Sequence, residues 1–464
     1  MMKTNMPRAI LKAIKKFQNK NFEIYLVGGA VRNFILDKKT KDWDLTTNAQ
    51  PEEIQKLFPK NSFYKNRYGT VTVVVKEKVK RILLEITTFR KEFGYSDKRH
   101  PDKIIWGKTL KEDLARREFT VSAIALEIKN INLKSFTYEN KIIDPYYGQK
   151  DLKDKILRTV GNPEKRFSED ALRMMRAVRI ASQLGLVIEK KTFVSIKKSK
   201  EKIKKIAWER IRDELFKILA SSYPAEGILV LYNTGLLYFI LPELIAGRNV
   251  AQARHHVDDV WNHSLKSLQF CPAKDPIVRL ACLLHDIGKP ATAQGKGEER
   301  TFYNHEVAGE ILARKIAGRL RLSRKDQERL CRLIRYHQFT LDEKQTDKAF
   351  RRFIKKVKKE NIKDMLDLRI GDRLGGGARE TSWRLELFKK RLAEVQKQPF
   401  SLKYLKVNGQ DVMRVLKIPP GPKVGKILKA LFKEIENDKE KNARKYLLSQ
   451  IKKIYSRLPV KEQR

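Results

Sequence analysis

Cysteine is scarce in this chain. There are three in 464 residues, at Cys271, Cys282 and Cys331, and none lies in CxxC spacing. That argues against a disulfide framework and suits a reducing compartment. No GxxxxGK[ST] loop occurs, so any nucleoside triphosphate is bound without a P-loop. Long apolar runs are missing too. The nearest, GILVLYNTGLLYFILPELIAG, approaches bilayer-spanning length but is interrupted by Asn233, Pro242 and Glu243, which predicts two short buried helices. The N-terminal MMKTNMPRAILKAIKKF is basic without an apolar signal core. A cytoplasmic protein with no membrane association is expected. There is no internal repeat and no long low-complexity linker.

Acidic residues are outnumbered almost two to one by basic ones. Asp and Glu number 55 against 101 Lys and Arg, a formal net charge of +46. Such an excess is the electrostatic footprint of a partner for a polyanion, with RNA or DNA first and a membrane surface second. A lysine-rich or heat-adapted proteome would also raise the count. The length predicts two to four domains or subdomains.

The first segment alternates strand and helix signals. FEIYLV reads as a strand ending at Gly28-Gly29, AVRNFIL as a short helix, and DWDLT as a second strand. Pro51 stands at a favoured first-turn position. TVTVVVK and RILLEITTF predict a hairpin. This is a mixed α/β domain over about residues 20–130. From about residue 150 almost everything carries helical periodicity. RFSEDALRMMRAVRIASQLG predicts one amphipathic helix with Ala171, Met174, Met175, Val178 and Ala181 on its apolar side. Lysine-rich helices follow, either solvated faces or phosphate contacts.

Neighbouring carboxylates repel each other, so two aspartates placed side by side in DWDL need a reason. Residues two apart in a strand share a face, so Asp42 and Asp44 project together. Glu85, in ILLEITTF, can lie alongside on a neighbouring strand. Three carboxylates on adjacent strands suit two Mg²⁺ ions. Gly28 and Gly29 suit a close-approach turn whose N–H groups face phosphate, with Arg32 following as a phosphate or ribose contact. A lone DxD pair is equally a solvated turn.

The joint pattern is more specific. GGAVRN followed by DWDL resembles motif A of class II nucleotidyltransferases, the family of bacterial CCA-adding enzymes and poly(A) polymerases. EITTFR, GYSDKRHPDKI, EDLARREFTVSAIAL and RFSEDALRMMRAVRIA resemble, in order, the strand with the third acidic residue, the flexible loop, the RRDFTxNA motif and the RFxEDxLRxLRAxRFA segment. Asn33, Glu118 and Ser122 depart from the usual Asp, Asp and Asn.

The resemblance implies template-independent addition of CCA to the 3′ end of tRNA from CTP and ATP. Asp42, Asp44 and Glu85 would be catalytic, with Mg²⁺ on Asp42 and Asp44. Nucleotide binding falls to Gly28, Gly29, Arg32, Arg116, Arg117, Arg166, Asp170, Arg173, Arg176 and Arg179. Asp170 and Arg173, at i and i+3, can present an acceptor and a donor to one base edge. A carboxylate taking an exocyclic amino proton and a guanidinium feeding a ring nitrogen accept C and A and reject U and G. A buried polar mismatch there costs on the order of a few kcal/mol. A surface salt bridge is the plainer alternative. The flexible loop looks full length, which favours complete CCA addition over a poly(A) polymerase or A-adding enzyme using ATP only.

Seven histidines are present. Four of them, with two aspartates, run in the order His263, His285-Asp286, His305, His337, Asp372, which resembles an HD phosphohydrolase domain with ligands for Mn, Ni, Fe or Mg rather than structural zinc. It implies phosphatase or 2′,3′-cyclic phosphodiesterase activity, or a retained but idle fold. A metal-dependent phosphohydrolase is the rival reading from another class. His100, His255 and His256 have no assigned role.

The expected fold class is α+β: a mixed α/β nucleotidyltransferase head over 1–140, a helical neck over 141–215, a helical body with the HD site over 216–380, and a helical tail over 381–464. The tail, with a turn at Gly421, Pro422 and Gly425, would bind tRNA, and the partners are the tRNA acceptor arm and 3′ end, CTP and ATP.

Overall fold

The computed structural model describes residues 6–40, 42–66, 68–96, 101–252, 258–339, 342, 344–396, 402–437 and 439–457. They form two compact units, Met1–His337 with Lys363–Glu380, and Gln338–Ile362 with Thr381–Arg464.

The first unit opens with a seven-stranded sheet. Its strands are β1 (Ile24–Val27), β2 (Trp43–Thr47), β3 (Ser62–Asn66), β4 (Thr70–Glu77), β5 (Lys80–Thr88), β8 (Ala125–Asn132) and β9 (Thr137–Ile143), in the spatial order β3-β4-β5-β2-β1-β8-β9. A separate ribbon pairs β6 (Arg90–Phe93) with β7 (Lys103–Trp106). Within the large sheet only β2 and β5 run parallel.

Alternation explains the sheet. Val71 and Val73 of β4 and Leu84 and Ile86 of β5 are buried on one face. Thr70, Thr72, Glu85 and Thr87 share the other face, as the period of two requires. The predicted hairpin forms, with Glu77 opposite Lys80. Helix α1 (Arg8–Gln18) buries Ile10, Leu11, Ile14 and Phe17. Helix α2 (Gly29–Ile35) leaves β1 directly, α3 (Pro51–Leu57) starts on its proline, and α4 (Leu110–Ala115) carries Leu110 and Leu114 into a cluster with Val27, Phe89 and Ala125.

Among the described residues the remainder is helical apart from a two-residue parallel pairing of Ile156–Leu157 with Val187–Ile188 and isolated bridges such as Ala251–Asp259 and Gln294–Thr301. After α5 (Gly148–Lys153), the segment expected to be one helix is two: α6 (Pro163–Glu169) and α7 (Leu172–Leu184). The break is at Asp170, which is extended (φ −143°, ψ 111°) and whose Oδ1 accepts the Leu172 N–H at 2.9 Å. The predicted apolar residues of α7 are buried nonetheless. The apolar run that was expected to give two helices gives three, Pro224–Asn233, Leu237–Ile240 and Pro242–Ile245, because Pro242 starts a turn of its own. No helix among the described residues is long and apolar enough to cross a membrane.

The second unit contains the helices Asp347–Val357 and Trp383–Gln396, joined through Phe350, Phe353 and Phe388. Three further helices, Gly409–Leu416, Pro422–Asn437 and Arg444–Ser456, close around Val412, Ile427, Leu431, Leu447 and Ile451. Pro422 opens a helix, and Gly425 lies within it.

Candidate active site and metal centre

The sheet register gathers the head carboxylates. Asp44 pairs with Glu85 across the parallel strands β2 and β5, so both point to one face. Asp42 sits one residue before β2 begins, rather than inside the strand as expected. All three line one cavity of about 580 Å³, with Gly28, Gly29 and Arg32 at the turn after β1. Gly28 is needed there. Its φ of 67° is a conformation L side chains rarely adopt, and an added Cβ would lie 3.3 Å from Asp44 Oδ2.

Arg116, Arg117, Asp170, Arg173, Arg176 and Arg179 line the same cavity. Asp170 and Arg173 are therefore brought together, although on either side of a helix break and not on one helix. Arg166 is placed elsewhere. It lines a neighbouring cavity and donates to Val160 O, Glu169 and Ala115 O.

The cavity holds seven arginines and six carboxylates, and most of the cations are tied. Arg116 bridges Asp113 at 2.7 Å and Glu92 at 3.0 Å, and Arg117 reaches Asp113 at 3.2 Å. Arg173 pairs with Glu169, Arg176 with Glu118 at 2.7 Å, and Arg179 with Glu214 at 3.1 Å. Asp170 accepts from Arg210 at 2.8 Å. Arg32 differs. It donates to the Ser122 hydroxyl at 3.1 Å and not to a carboxylate, and its buried Nε, like those of Arg117 and Arg179, has no hydrogen-bond partner among the described residues. Burial and then the Arg179 guanidinium push Arg32 down to about 10, so it remains a cation at neutral pH. A buried cation beside carboxylates suits an anion accompanied by a metal ion.

Sequence reading missed Arg90, Glu92, Tyr95, Thr70 and Thr87, which also line the cavity. Thr87 was accessible by counting two on from Glu85. Glu92 was not, because what fixes it is its contact with Arg116, 24 residues away.

The second centre lies elsewhere in the same unit. His263 comes from the helix Val260–Gln269, His285 and Asp286 follow Pro276–Leu284, His305 opens His305–Arg319, His337 follows Arg324–Arg335, and Asp372 lies on Ile362–Gly375. His285 Nε2 is 3.2 Å from Asp286 Oδ2, and His263 Nε2 is 3.2 Å from Asp372 Oδ1. On the other side of Asp286, its Oδ1 lies 3.4 Å from His305 Nε2 and 3.6 Å from His337 Nε2. All six predicted residues meet. His100, His255 and His256 lie outside the described residues.

The donor set fits a divalent metal. Nδ1 of His285, His305 and His337 each faces a backbone carbonyl, of Cys282, Phe302 and Ile334, at 2.7–2.8 Å. That orients each Nε2 inward as a ligand atom. His263, His285 and Asp286 form one group with ligand atoms within 4.8 Å, and Asp286, His305 and His337 form another. Burial lowers His285, but Asp286 and Asp372 outweigh it and push it up to about 10. Burial raises Asp286, but His285 and Lys289 outweigh it and hold it well below the carboxylate range. Asp286 and Asp372 thus stabilise positive charge beside them, while burial and then the neighbouring His285 lower His337.

The chain matches three families in order: "Poly A polymerase head domain" over residues 24–158, "Probable RNA and SrmB- binding site of polymerase A" over 185–247, and "HD domain" over 256–375. It is 42% identical over 234 residues to the CCA-adding enzyme of Lactobacillus helveticus, covering 50% of this chain and 55% of that one. With the CCA-adding enzyme of Ligilactobacillus salivarius it shares 43% over 239 residues, 51% and 56% of the two chains. The match thus spans about half the length of these curated relatives. The crystal structure of Bacillus stearothermophilus CCA-adding enzyme in complex with CTP superposes with a TM-score of 0.69 at 27% identity, over 97% of both chains.

Proposed function

The chain belongs to the family of tRNA nucleotidyltransferases and poly(A) polymerases with an HD domain, and from that premise we propose that it adds CCA to the 3′ end of tRNA, taking CTP and then ATP without a template. The observation that carries this reading is the single cavity that joins Asp42, Asp44 and Glu85 to Asp170 and Arg173. Its carboxylates suit a metal-bound triphosphate, and Asp170 with Arg173 suits a base.

Asp42, Asp44 and Glu85 would hold two Mg²⁺, which supply charge neutralisation of the triphosphate and activation of a hydroxyl. The chain's own residues do the positioning. The turn at Gly28-Gly29 lets backbone N–H groups approach phosphate closely. Arg32 and Arg179, buried near one another, repel until an anion arrives, so the triphosphate relieves a cost already present in the fold. Asp170, held by Arg210, presents a carboxylate to an exocyclic amino group, and Arg173, held by Glu169, feeds the ring nitrogen. C and A satisfy this pair, while U and G leave like facing like. Arg116 and Arg117 brace the wall, each tied to Asp113.

His263, His285, Asp286, His305, His337 and Asp372 would hold one or two of Mn, Ni, Fe or Mg, which supply a hydrolytic hydroxide. We assign this centre a separate phosphohydrolase role on the RNA end. Lysine excess and the tail helices suit tRNA as the partner, with the cytoplasm as the place of work.

Two variants separate the centres. Asp44→Asn is expected to remove nucleotide addition to a tRNA transcript lacking CCA, and His285→Ala to leave addition intact while removing phosphate release. Addition by Asp44→Asn at the wild-type rate would sink the assignment of the head site.

A further inference from the structure

The catalytic face of the sheet does not end at the cavity. One cross-strand row runs Asp44, Glu85, Thr72, Phe63, each paired with the next. Paired residues share a face, so Phe63 stands on the same side as the carboxylates, two strands and ~10 Å from Glu85. It is 63% exposed, unusual for a phenylalanine on an edge strand, where exposed apolar surface is a liability. The next row on that face pairs Leu83 with Val74, and Leu83 is 58% exposed. The row beyond pairs Arg81 with Lys76, both exposed, ~13 Å along β5 from Glu85. Moving outward, the open face therefore presents the carboxylates, then an apolar strip of Phe63, Val74 and Leu83, then two cations.

We propose that this strip on β3, β4 and β5 receives the 3′-terminal nucleotide of the RNA acceptor, with its base on Phe63 and Leu83, its ribose hydroxyl toward Glu85, and a preceding phosphate near Arg81 and Lys76. The occupant follows from the order of chemistries: a π surface accepts any base face, and the cations accept a phosphate whatever the sequence. The strip lies outside the cavity that joins the triphosphate end to the base-selecting pair, so acceptor and incoming nucleotide approach the carboxylates from different sides. The proposal rests on the nucleotidyl-transfer reading above and makes Phe63 a positioning residue for the acceptor.

The test is steady-state extension of a tRNA transcript lacking CCA by wild type, Phe63→Ala, Phe63→Trp and the double variant Lys76→Glu/Arg81→Glu. Phe63→Ala is expected to raise the KM for tRNA roughly five- to a hundredfold, with the KM for CTP and the preference for CTP over UTP unmoved. Phe63→Trp should restore the tRNA KM, and the double variant should raise it and flatten its salt dependence. An unchanged tRNA KM in Phe63→Ala, or an equal rise in both KM values, would overturn the assignment. A changed oligomeric state with an unchanged tRNA KM would make the strip a contact between copies and overturn it as well. If wild type fails to extend the transcript, the underlying reading falls first. Because Phe63 is exposed, these variants should keep the fold.

Discussion

Asp113 shows what a single buried charge does here. Its side chain is fully buried and bonds Arg116 and Arg117 together. Both arginines line the cavity, while Asp113 does not. Burial raises its carboxyl, but Arg116 and then Arg117 outweigh that and hold it below the ordinary range. A carboxyl depressed in the folded state contributes stability that is complete above the ordinary range, ~4, and is lost as pH falls through the folded value. Asp113→Asn leaves two guanidiniums facing each other, and breaking such a buried pair costs ~3–5 kcal/mol. Chemical denaturation at pH 7 should show that loss, and the gap between wild type and variant should begin to narrow below about pH 4 and close as pH falls through the lowered folded value. A gap that stays constant into strong acid would assign the cost to shape instead of charge.

At the scale of elements, the HD centre depends on how closely two backbone segments approach. A Cβ on Gly288 would lie 2.1 Å from His305 O and 2.6 Å from Gly309 N. Gly288→Ala must push the segment carrying Asp286 off the helix that begins at His305. The expected result is loss of the thermal shift that Mn²⁺ gives wild type, with nucleotide addition retained. An unaltered Mn²⁺ shift would mean that the contact is not what sets the cage. The elements were unequally legible in the sequence. The β4–β5 hairpin and the carboxylate row follow from period two alone, and the order of histidines marked all six cage residues. The break between α6 and α7 was hidden, because i and i+3 spacing is the same across a turn as within a helix. It is set by Asp170 capturing the Leu172 N–H and by Arg210, forty residues on. The acidic anchors Glu92, Glu169 and Glu214 were equally hidden, since charge composition does not say which carboxylate meets which arginine.

For the whole molecule, the +46 excess and the two acidic centres belong to one account. A chain rich in cations draws a polyanion to its surface, while the carboxylates of the two centres stand against arginines in the head cavity and histidines in the cage. The family match, the shared cavity and the superposition on a CTP-bound relative all support the proposed nucleotide addition. The most direct test is extension of a tRNA transcript lacking its 3′ CCA, with Mg²⁺ and CTP alone, ATP alone, both, or UTP and GTP, read at single-nucleotide resolution. The account predicts two additions with CTP, a third only when ATP is also present, and none with UTP or GTP. A long ladder from ATP alone, or incorporation of UTP at the CTP rate, would contradict it.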